Sequence, residues 1–158
     1  MAADYVSGSE EEFVKEMSRF GKEVGMTQTH FKNATGLDER DQYATVADLS
    51  KFLDIALKNE TFKKLVTTTT HQTSATSYMP EGYYLESTML KDTPDLSMSN
   101  GVILGGKTGY TKKAGQCLIS LAEVNNEMYV LITTGADGNS FTEQFNMTDA
   151  RYIYESIM

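Results

Sequence analysis

The sequence predicts an α+β protein in which an antiparallel sheet is flanked by helices, and three observations support this. Two segments in the first 60 residues begin with helix-capping residues and continue with apolar residues at helical spacing. Three apolar, strand-like segments then follow one another between residues 102 and 134, separated only by short turns. A final amphipathic segment closes the chain, so helices can cover a sheet built from consecutive hairpins.

The first predicted helix runs from Ser9 to Val24. Ser9 and Glu12 form an S-x-x-E capping box, and Gly25 ends the helix. One apolar stripe at positions i, i+4, i+7 and i+11 indicates a buried face, and it consists of Phe13, Met17, Phe20 and Val24.

Residues 26–43 predict a structured loop. A second helix is predicted after this loop, with Thr45 as the N-cap of the helix and Asp48 as the reciprocal partner of Thr45. Its buried face would comprise Ala47, Leu49, Phe52, Leu53, Ala56 and Leu57. The pair Asn59-Glu60 interrupts this helix, and Thr61 to Leu65 predicts one further helical turn.

The middle of the chain is polar and rich in turn residues. Val66 to Thr76 includes four consecutive threonines, which favour an exposed strand because threonine is β-branched yet polar. Tyr78 to Asn100 contains both prolines and predicts a long surface excursion. Loops of this length are uncommon and are usually functional.

The last third predicts three strands and a helix. Asn125-Asn126 is the expected tight turn of the second hairpin. The strands are Val102–Thr108, Gln116–Val124 and Met128–Thr134, the first two are joined by a turn at Lys112–Gly115, and the closing helix is Phe141–Met158.

Charge and composition exclude several classes of function. The net charge is −8, from 14 basic and 22 acidic residues, which disfavours nucleic acid and anionic membrane surfaces as partners. Cys117 is the only cysteine, so no intrachain disulfide can form, and its apolar strand predicts a small buried side chain. His30 and His71 lack metal-ligand spacing, so the sequence predicts neither a metal site nor a cofactor.

The motif Lys107-Thr108-Gly109 carries the clearest chemical signal. It ends the apolar segment Val102-Ile103-Leu104 and precedes the next strand, so the lysine and threonine should lie at the inner end of a sheet strand, facing a cleft. K-T-G is one of three motifs of penicillin-binding proteins and class A β-lactamases, with S-x-x-K and S-D-N. The preceding Gly105-Gly106 indicates either a bulge or the close approach of a ligand.

Several further segments of the chain resemble the serine-type D-alanyl-D-alanine carboxypeptidases, the low-molecular-weight penicillin-binding proteins. The resemblance covers most of the chain and is strongest around the K-T-G motif. The matching segments are residues 5–14, Val24-Gly25-Met26, residues 29–33, Gly36-Leu37-Asp38, residues 43–49, residues 106–111 and residues 114–118.

The resemblance implies an incomplete β-lactamase/transpeptidase-like fold and an acyl-enzyme mechanism on peptidoglycan stem peptides that end in D-Ala-D-Ala. It implies that Lys107 supplies positive charge to the catalytic cleft. Thr108 and Gly109 would bind the substrate, with the threonine hydroxyl at the terminal carboxylate. The backbone N–H of Tyr110 would form half of the oxyanion hole. β-Lactams would inhibit the intact parent, which would act outside the cytoplasm in the cell envelope.

The sequence also departs from this family. It contains neither S-x-x-K nor S-x-N, and the residues Asp137-Gly138-Asn139-Ser140 include no arginine where the family usually places one near the substrate carboxylate. No signal peptide or transmembrane run is present, and Met1-Ala2-Ala3 before Asp4-Tyr5 suggests a start codon on an internal segment. We therefore expect residues 1–158 to be a partial domain without the N-terminal strands and nucleophile helix, inactive alone and prone to self-association.

Two other classes of function stay open at this point. A class A β-lactamase shares K-T-G, although Glu39 lacks a supporting E-x-x-x-N pattern and the loop from Gly36 to Tyr43 resembles the carboxypeptidases. The second alternative is a non-catalytic module that binds peptidoglycan or assists its assembly.

Overall fold

A computed structural model describes residues 2–158, which form two compact units. The N-terminal unit extends to Asn59 and also includes Thr111–Lys113, and the C-terminal unit comprises Glu60–Tyr110 and Ala114–Met158. The N-terminal unit contains α1 (Ala2–Ser7), α2 (Glu10–Glu23) and α3 (Val46–Ala56). The C-terminal unit contains α4 (Glu60–Thr67), β1 (Thr70–Gln72), β2 (Tyr84–Glu86), a 3-10 turn (Thr88–Leu90), β3 (Ser97–Met98), β4 (Gly101–Thr111) except its last residue, β5 (Gly115–Val124), β6 (Glu127–Ala136) and α5 (Phe145–Glu155).

Helix α2 confirms the predicted N-cap at Ser9 and the stop signal at Gly25, but Glu12 does not complete the capping box, since its carboxylate accepts from Lys15 Nζ at 2.7 Å. The Glu12 N–H donates to Ser9 Oγ at 3.2 Å, which satisfies one of the free donors at the helix start. Gly25 adopts a φ of +84°, a conformation that favours glycine and ends the helix. Helix α1, which precedes this cap, is a feature that the sequence analysis did not predict.

Helix α3 also begins as predicted, but Asp48 has a different role. The N–H of Asp48 donates to Thr45 Oγ1 at 3.1 Å, which confirms the N-cap. The nearly fully buried Asp48 carboxylate accepts instead from Gln28 N at 2.7 Å and Thr29 Oγ1 at 2.9 Å, and from Lys51 Nζ at 3.0 Å. It therefore fastens the loop after α2 to α3.

The sheet of the C-terminal unit has the strand order β3-β4-β5-β6, so each strand neighbours the next along the chain. β5 and β6 pair antiparallel from Val124↔Glu127 onward, with a register shift between Gln116 and Leu118. Asn125 and Asn126 connect them with φ values of +52° and +66°, as a type I′ turn requires. The predicted antiparallel sheet is confirmed, with β4 and β6 longer than predicted at both ends and β5 longer by one residue at its start.

Helix α5 packs on β5 and β6 and closes the hydrophobic core. The Tyr154 ring is buried there, and its hydroxyl donates to the carbonyl oxygen of Ser120 at 3.0 Å. The buried core residues are Met89, Ile103, Leu118, Ala122, Val124, Met147, Ala150 and Tyr154.

The glycines Gly105 and Gly106 allow backbone segments to approach one another closely. A Cβ atom on Gly106 would lie 2.1 Å from the carbonyl oxygen of Ile119, and one on Gly105 would lie 2.4 Å from that of Val66. Real Cβ atoms do not come so close, so packing of β4 against β5 and α4 explains this pair.

Four sequence expectations need correction. Val66 and Thr67 belong to α4, so the exposed strand is only Thr70–Gln72. The hydroxyl groups of Thr67 and Thr68 donate to carbonyl oxygens of α4, at 2.9 and 2.7 Å. The stretch 78–100 is not a featureless excursion, since it carries β2, the 3-10 turn and β3 and buries Met89 completely. Cys117 is half-buried rather than buried. The closing helix begins at Phe145, not Phe141.

Candidate functional site

The four predicted site residues lie together at the C-terminal end of β4. Lys107, Thr108, Gly109 and Tyr110 line one cavity of about 300 Å³ in the C-terminal unit. They share it because they are consecutive on a strand whose apolar first half, with Ile103 almost fully buried, is anchored in the core.

The outer edge of β4 is open at these residues. β3 pairs only with Gly101 and Val102, and no other strand of residues 2–158 extends the sheet beyond β4. An added Cβ atom on Gly109 would meet no atom within 4 Å, so the protein's own packing does not require glycine there. This edge leaves space for an extended ligand beside the strand.

The side chains of Lys107 and Thr108 are fixed by hydrogen bonds. Lys107 Nζ donates to the carbonyl oxygen of Thr108, and the hydroxyl groups of Thr108 and Thr88 are hydrogen-bonded to each other. Tyr110 is 39% exposed, so its ring borders the cavity without being packed in the core.

The second wall of the cavity comes from the 3-10 turn and from the loop between β6 and α5. Thr88 and Lys91 contribute from the turn, and Asn139 and Ser140 contribute from the loop. Lys91 Nζ donates to the carbonyl oxygen of Ser140 at 2.9 Å, which joins the two segments.

Three buried amide side chains hold this wall in place. Gln116 Nε2 donates to the carbonyl oxygens of Glu143 at 2.8 Å and Asn139 at 3.1 Å. Gln144 Nε2 donates to the carbonyl oxygen of Thr88 at 2.9 Å. Asn146 Nδ2 donates to that of Cys117 at 2.9 Å. Because buried amides are costly to leave unpaired, this network defines one loop geometry.

The electrostatic character of the cavity is opposite to that of the chain. The two charged residues that line it, Lys91 and Lys107, are both cations, whereas the chain carries a net charge of −8. Within residues 2–158 no group of three or more histidine, cysteine or acidic side chains could hold a metal ion. The two lysines therefore suit an anionic ligand.

A comparison with known protein families assigns the chain to one of them. Residues 1–138 match the family described as D-alanyl-D-alanine carboxypeptidase. This range includes the K-T-G strand and the whole of the sheet β3-β4-β5-β6. The chain belongs to the D-alanyl-D-alanine carboxypeptidase family. The resemblance predicted from the sequence is thereby confirmed, and the family is one of hydrolytic enzymes.

Individual relatives agree with this family assignment. The D-alanyl-D-alanine carboxypeptidase DacF of Bacillus subtilis is 35% identical over 136 residues, which are 85% of this chain and 33% of DacF. A D-alanyl-D-alanine endopeptidase of Escherichia coli is 31% identical over 86% of this chain and 42% of its own length. The chain thus spans between a third and a half of the length of these relatives.

Solved structures confirm the fold class. A mutant of the Streptomyces K15 DD-transpeptidase matches with a TM-score of 0.69 at 25% identity, over 91% of this chain and 53% of that one. A peptidoglycan synthesis regulatory factor from Streptococcus pneumoniae matches with a TM-score of 0.76 at 17% identity, over 96% and 43% of the two chains. The second likeness shows the fold alone.

Sequence reasoning missed the residues that surround the K-T-G strand. Thr88 and Lys91 lie in the stretch expected to be a surface excursion, and Gln144 and Asn146 carry no motif. Gln116 lies in the matching segment 114–118, but no role was predicted for it. The length of the stretch 78–100 was the one available signal, since long loops are usually functional. The partners of the three amides are set by tertiary packing, which no local pattern encodes.

None of the helices that the structure describes in residues 2–158 is both long and apolar enough to span a membrane.

Proposed function

We propose that this chain forms the K-T-G side of the substrate site of a serine-type D-alanyl-D-alanine carboxypeptidase that trims peptidoglycan stem peptides. The observation that carries this proposal is the open edge of β4 at Lys107–Tyr110, beside a cavity whose charged residues are two lysines. An extended peptide with a free carboxylate matches both features.

Each of the four residues has a role in this proposal. The peptide lies along β4 with the Thr108 hydroxyl donating to its terminal carboxylate, and Lys107 adds positive charge nearby. Gly109 leaves room for the D-alanyl side chains, because no atom of the protein fills the position of its missing Cβ. The Tyr110 N–H donates to the carbonyl oxygen under attack, and one such donor contributes about 3–4 kcal/mol to the transition state.

The nucleophilic step requires groups that this sequence does not contain. A serine of an S-x-x-K motif would attack the penultimate carbonyl, expel D-alanine and form an acyl-enzyme that water hydrolyses. The chain has no S-x-x-K motif. We therefore infer that it binds the peptide but does not hydrolyse it or react with β-lactams alone. The intact enzyme would act in the cell envelope, where its substrate is found.

The test is a nuclear magnetic resonance titration of the ¹⁵N-labelled chain with N-acetyl-D-Ala-D-Ala, with N-acetyl-L-Ala-L-Ala as the stereochemical control. We expect the D-peptide to shift the amide signals of Lys107 to Tyr110 and the L-peptide to shift them much less. Gly109→Ala should keep the same fold and unfolding midpoint but bind the D-peptide about tenfold more weakly, because a new methyl group occupies the ligand's space.

Two results would contradict the proposal. Equal shifts with both peptides, or none with either, would remove the proposed substrate. Covalent labelling of the chain by a fluorescent penicillin would show that it contains a working nucleophile, against the inferred inactivity.

A further inference from the structure

Lys91 lies on the wall of the cavity that faces the K-T-G strand, and no motif assigns it a role. It follows the 3-10 turn Thr88–Leu90, and its side chain crosses to the loop after β6, where Nζ donates to the carbonyl oxygen of Ser140 at 2.9 Å. An ammonium group has three N–H donors, so this bond leaves donors for a ligand.

The position of Lys91 is fixed by its neighbours on the cavity wall. Thr88, at the start of the same turn, is hydrogen-bonded through its hydroxyl to Thr108 of the K-T-G motif, and its carbonyl oxygen accepts from Gln144 Nε2 at 2.9 Å. Gln144 is itself 9% exposed. The turn that carries Lys91 is therefore tied both to the substrate strand and to the opposite loop.

The loop after β6 offers no cation of its own. Its residues 137–142 are Asp137, Gly138, Asn139, Ser140, Phe141 and Thr142. The one acidic group within ion-pair range of Lys91 Nζ among the described residues is Asp92, at 4.0 Å, where both side chains are partly exposed. A contact at that distance leaves the ammonium able to attract a second anion.

We propose that Lys91 is a specificity-determining residue that binds the free C-terminal carboxylate of the substrate peptide, with Thr108 on the opposite wall of the cavity. This inference rests on the proposed function and adds a residue to it. The positive charge that the loop lacks comes from the neighbouring turn, held against that loop by the Ser140 contact.

The test compares the affinities of the chain for N-acetyl-D-Ala-D-Ala and for its C-terminal amide, measured by the same titration. We expect the native chain to prefer the acid, since only the acid carries the carboxylate. In Lys91→Met this preference should fall about tenfold, as for a lost hydrogen bond to a charged group, and Lys91→Arg should retain most of it. Lys63→Met, which removes an exposed lysine of α4 outside the cavity, should behave like the native chain.

The outcomes separate this proposal from the proposed function. An acid preference that survives in Lys91→Met overturns the role of Lys91 and leaves the proposed function intact. If neither dipeptide binds, acetate becomes the probe. If acetate then shifts the cavity amide signals of the native chain but not those of Lys91→Met, the carboxylate site at Lys91 is retained and the proposed function is overturned. If acetate causes no such shifts, both the role of Lys91 and the proposed function are overturned.

Discussion

Replacing Gln116 with methionine tests whether the buried amide network holds the cavity wall. Gln116 is 4% exposed, and methionine has nearly the same length and volume without the amide. The substitution removes the bonds from Nε2 to the carbonyl oxygens of Glu143 and Asn139, at 2.8 and 3.1 Å. It also removes the acceptor Oε1 for the N–H of Asn146, at 3.3 Å.

The expected cost follows from what each partner keeps. The carbonyl oxygens of Asn139 and Glu143 still share the Thr142 hydroxyl as a donor, at 3.1 and 3.3 Å. Each lost bond then costs about 1 kcal/mol, and the buried N–H of Asn146 adds roughly 1 kcal/mol more for its lost acceptor. We expect the free energy of unfolding to fall by about 3–4 kcal/mol.

Urea unfolding followed by circular dichroism measures this change, and amide hydrogen exchange shows where it acts. Exchange in residues 137–146 should accelerate in Gln116→Met before the rest of the sheet does. Gln72→Met is the matched control, because the exposed Gln72 side chain of β1 donates its amide N–H to the carbonyl oxygen of Glu81 at 2.7 Å. That control should change stability by less than about 0.5 kcal/mol.

An equal, small effect of both substitutions would refute the reasoning. So would a destabilised Gln116→Met protein whose loop exchanges at the native rate, because the network would then not be what orders the loop.

Three further predictions concern the rest of the chain. Burial raises the pKa of the Asp48 carboxyl, but its hydrogen bonds, that from Lys51 foremost, outweigh burial and hold the pKa below the ordinary value. The stability that it contributes is present above about pH 4 and lost as the pH falls through the folded pKa, so urea midpoints of Asp48→Asn should vary less with acid than those of the native chain. Burial raises the pKa of the Tyr154 hydroxyl. The folded state then keeps this proton when the unfolded chain loses it, so stability should decline above about pH 10 in the native chain and less so in Tyr154→Phe. Gly106→Ala should lower the free energy of unfolding by about 3 kcal/mol, because its Cβ would lie 2.1 Å from the carbonyl oxygen of Ile119. Its urea midpoint should therefore lie below that of the native chain. A native midpoint for Gly106→Ala, or an unchanged acid or alkaline profile for the other two variants, would contradict the respective argument.

Local chemistry in the sequence determined the starts of α2 and α3, the hairpin and the placement of K-T-G on a strand. The Ser9 and Thr45 caps and the Asn125-Asn126 turn act within four residues, so adjacent side chains suffice to specify them. The sequence also predicted the family, because segments spread along the chain resemble the carboxypeptidases, and the match over residues 1–138 confirms it.

Only the tertiary structure decided what surrounds that strand. Lys91 meets the Ser140 carbonyl oxygen across 49 residues, and Gln144 meets that of Thr88 across 56. Such pairs form only when distant segments pack together, because every buried polar group then needs a hydrogen-bond donor or acceptor. The same constraint gave Asp48 partners in the loop after α2 instead of a purely local capping role. A motif can therefore mark the K-T-G strand, but the opposite wall of the cavity exists only through packing.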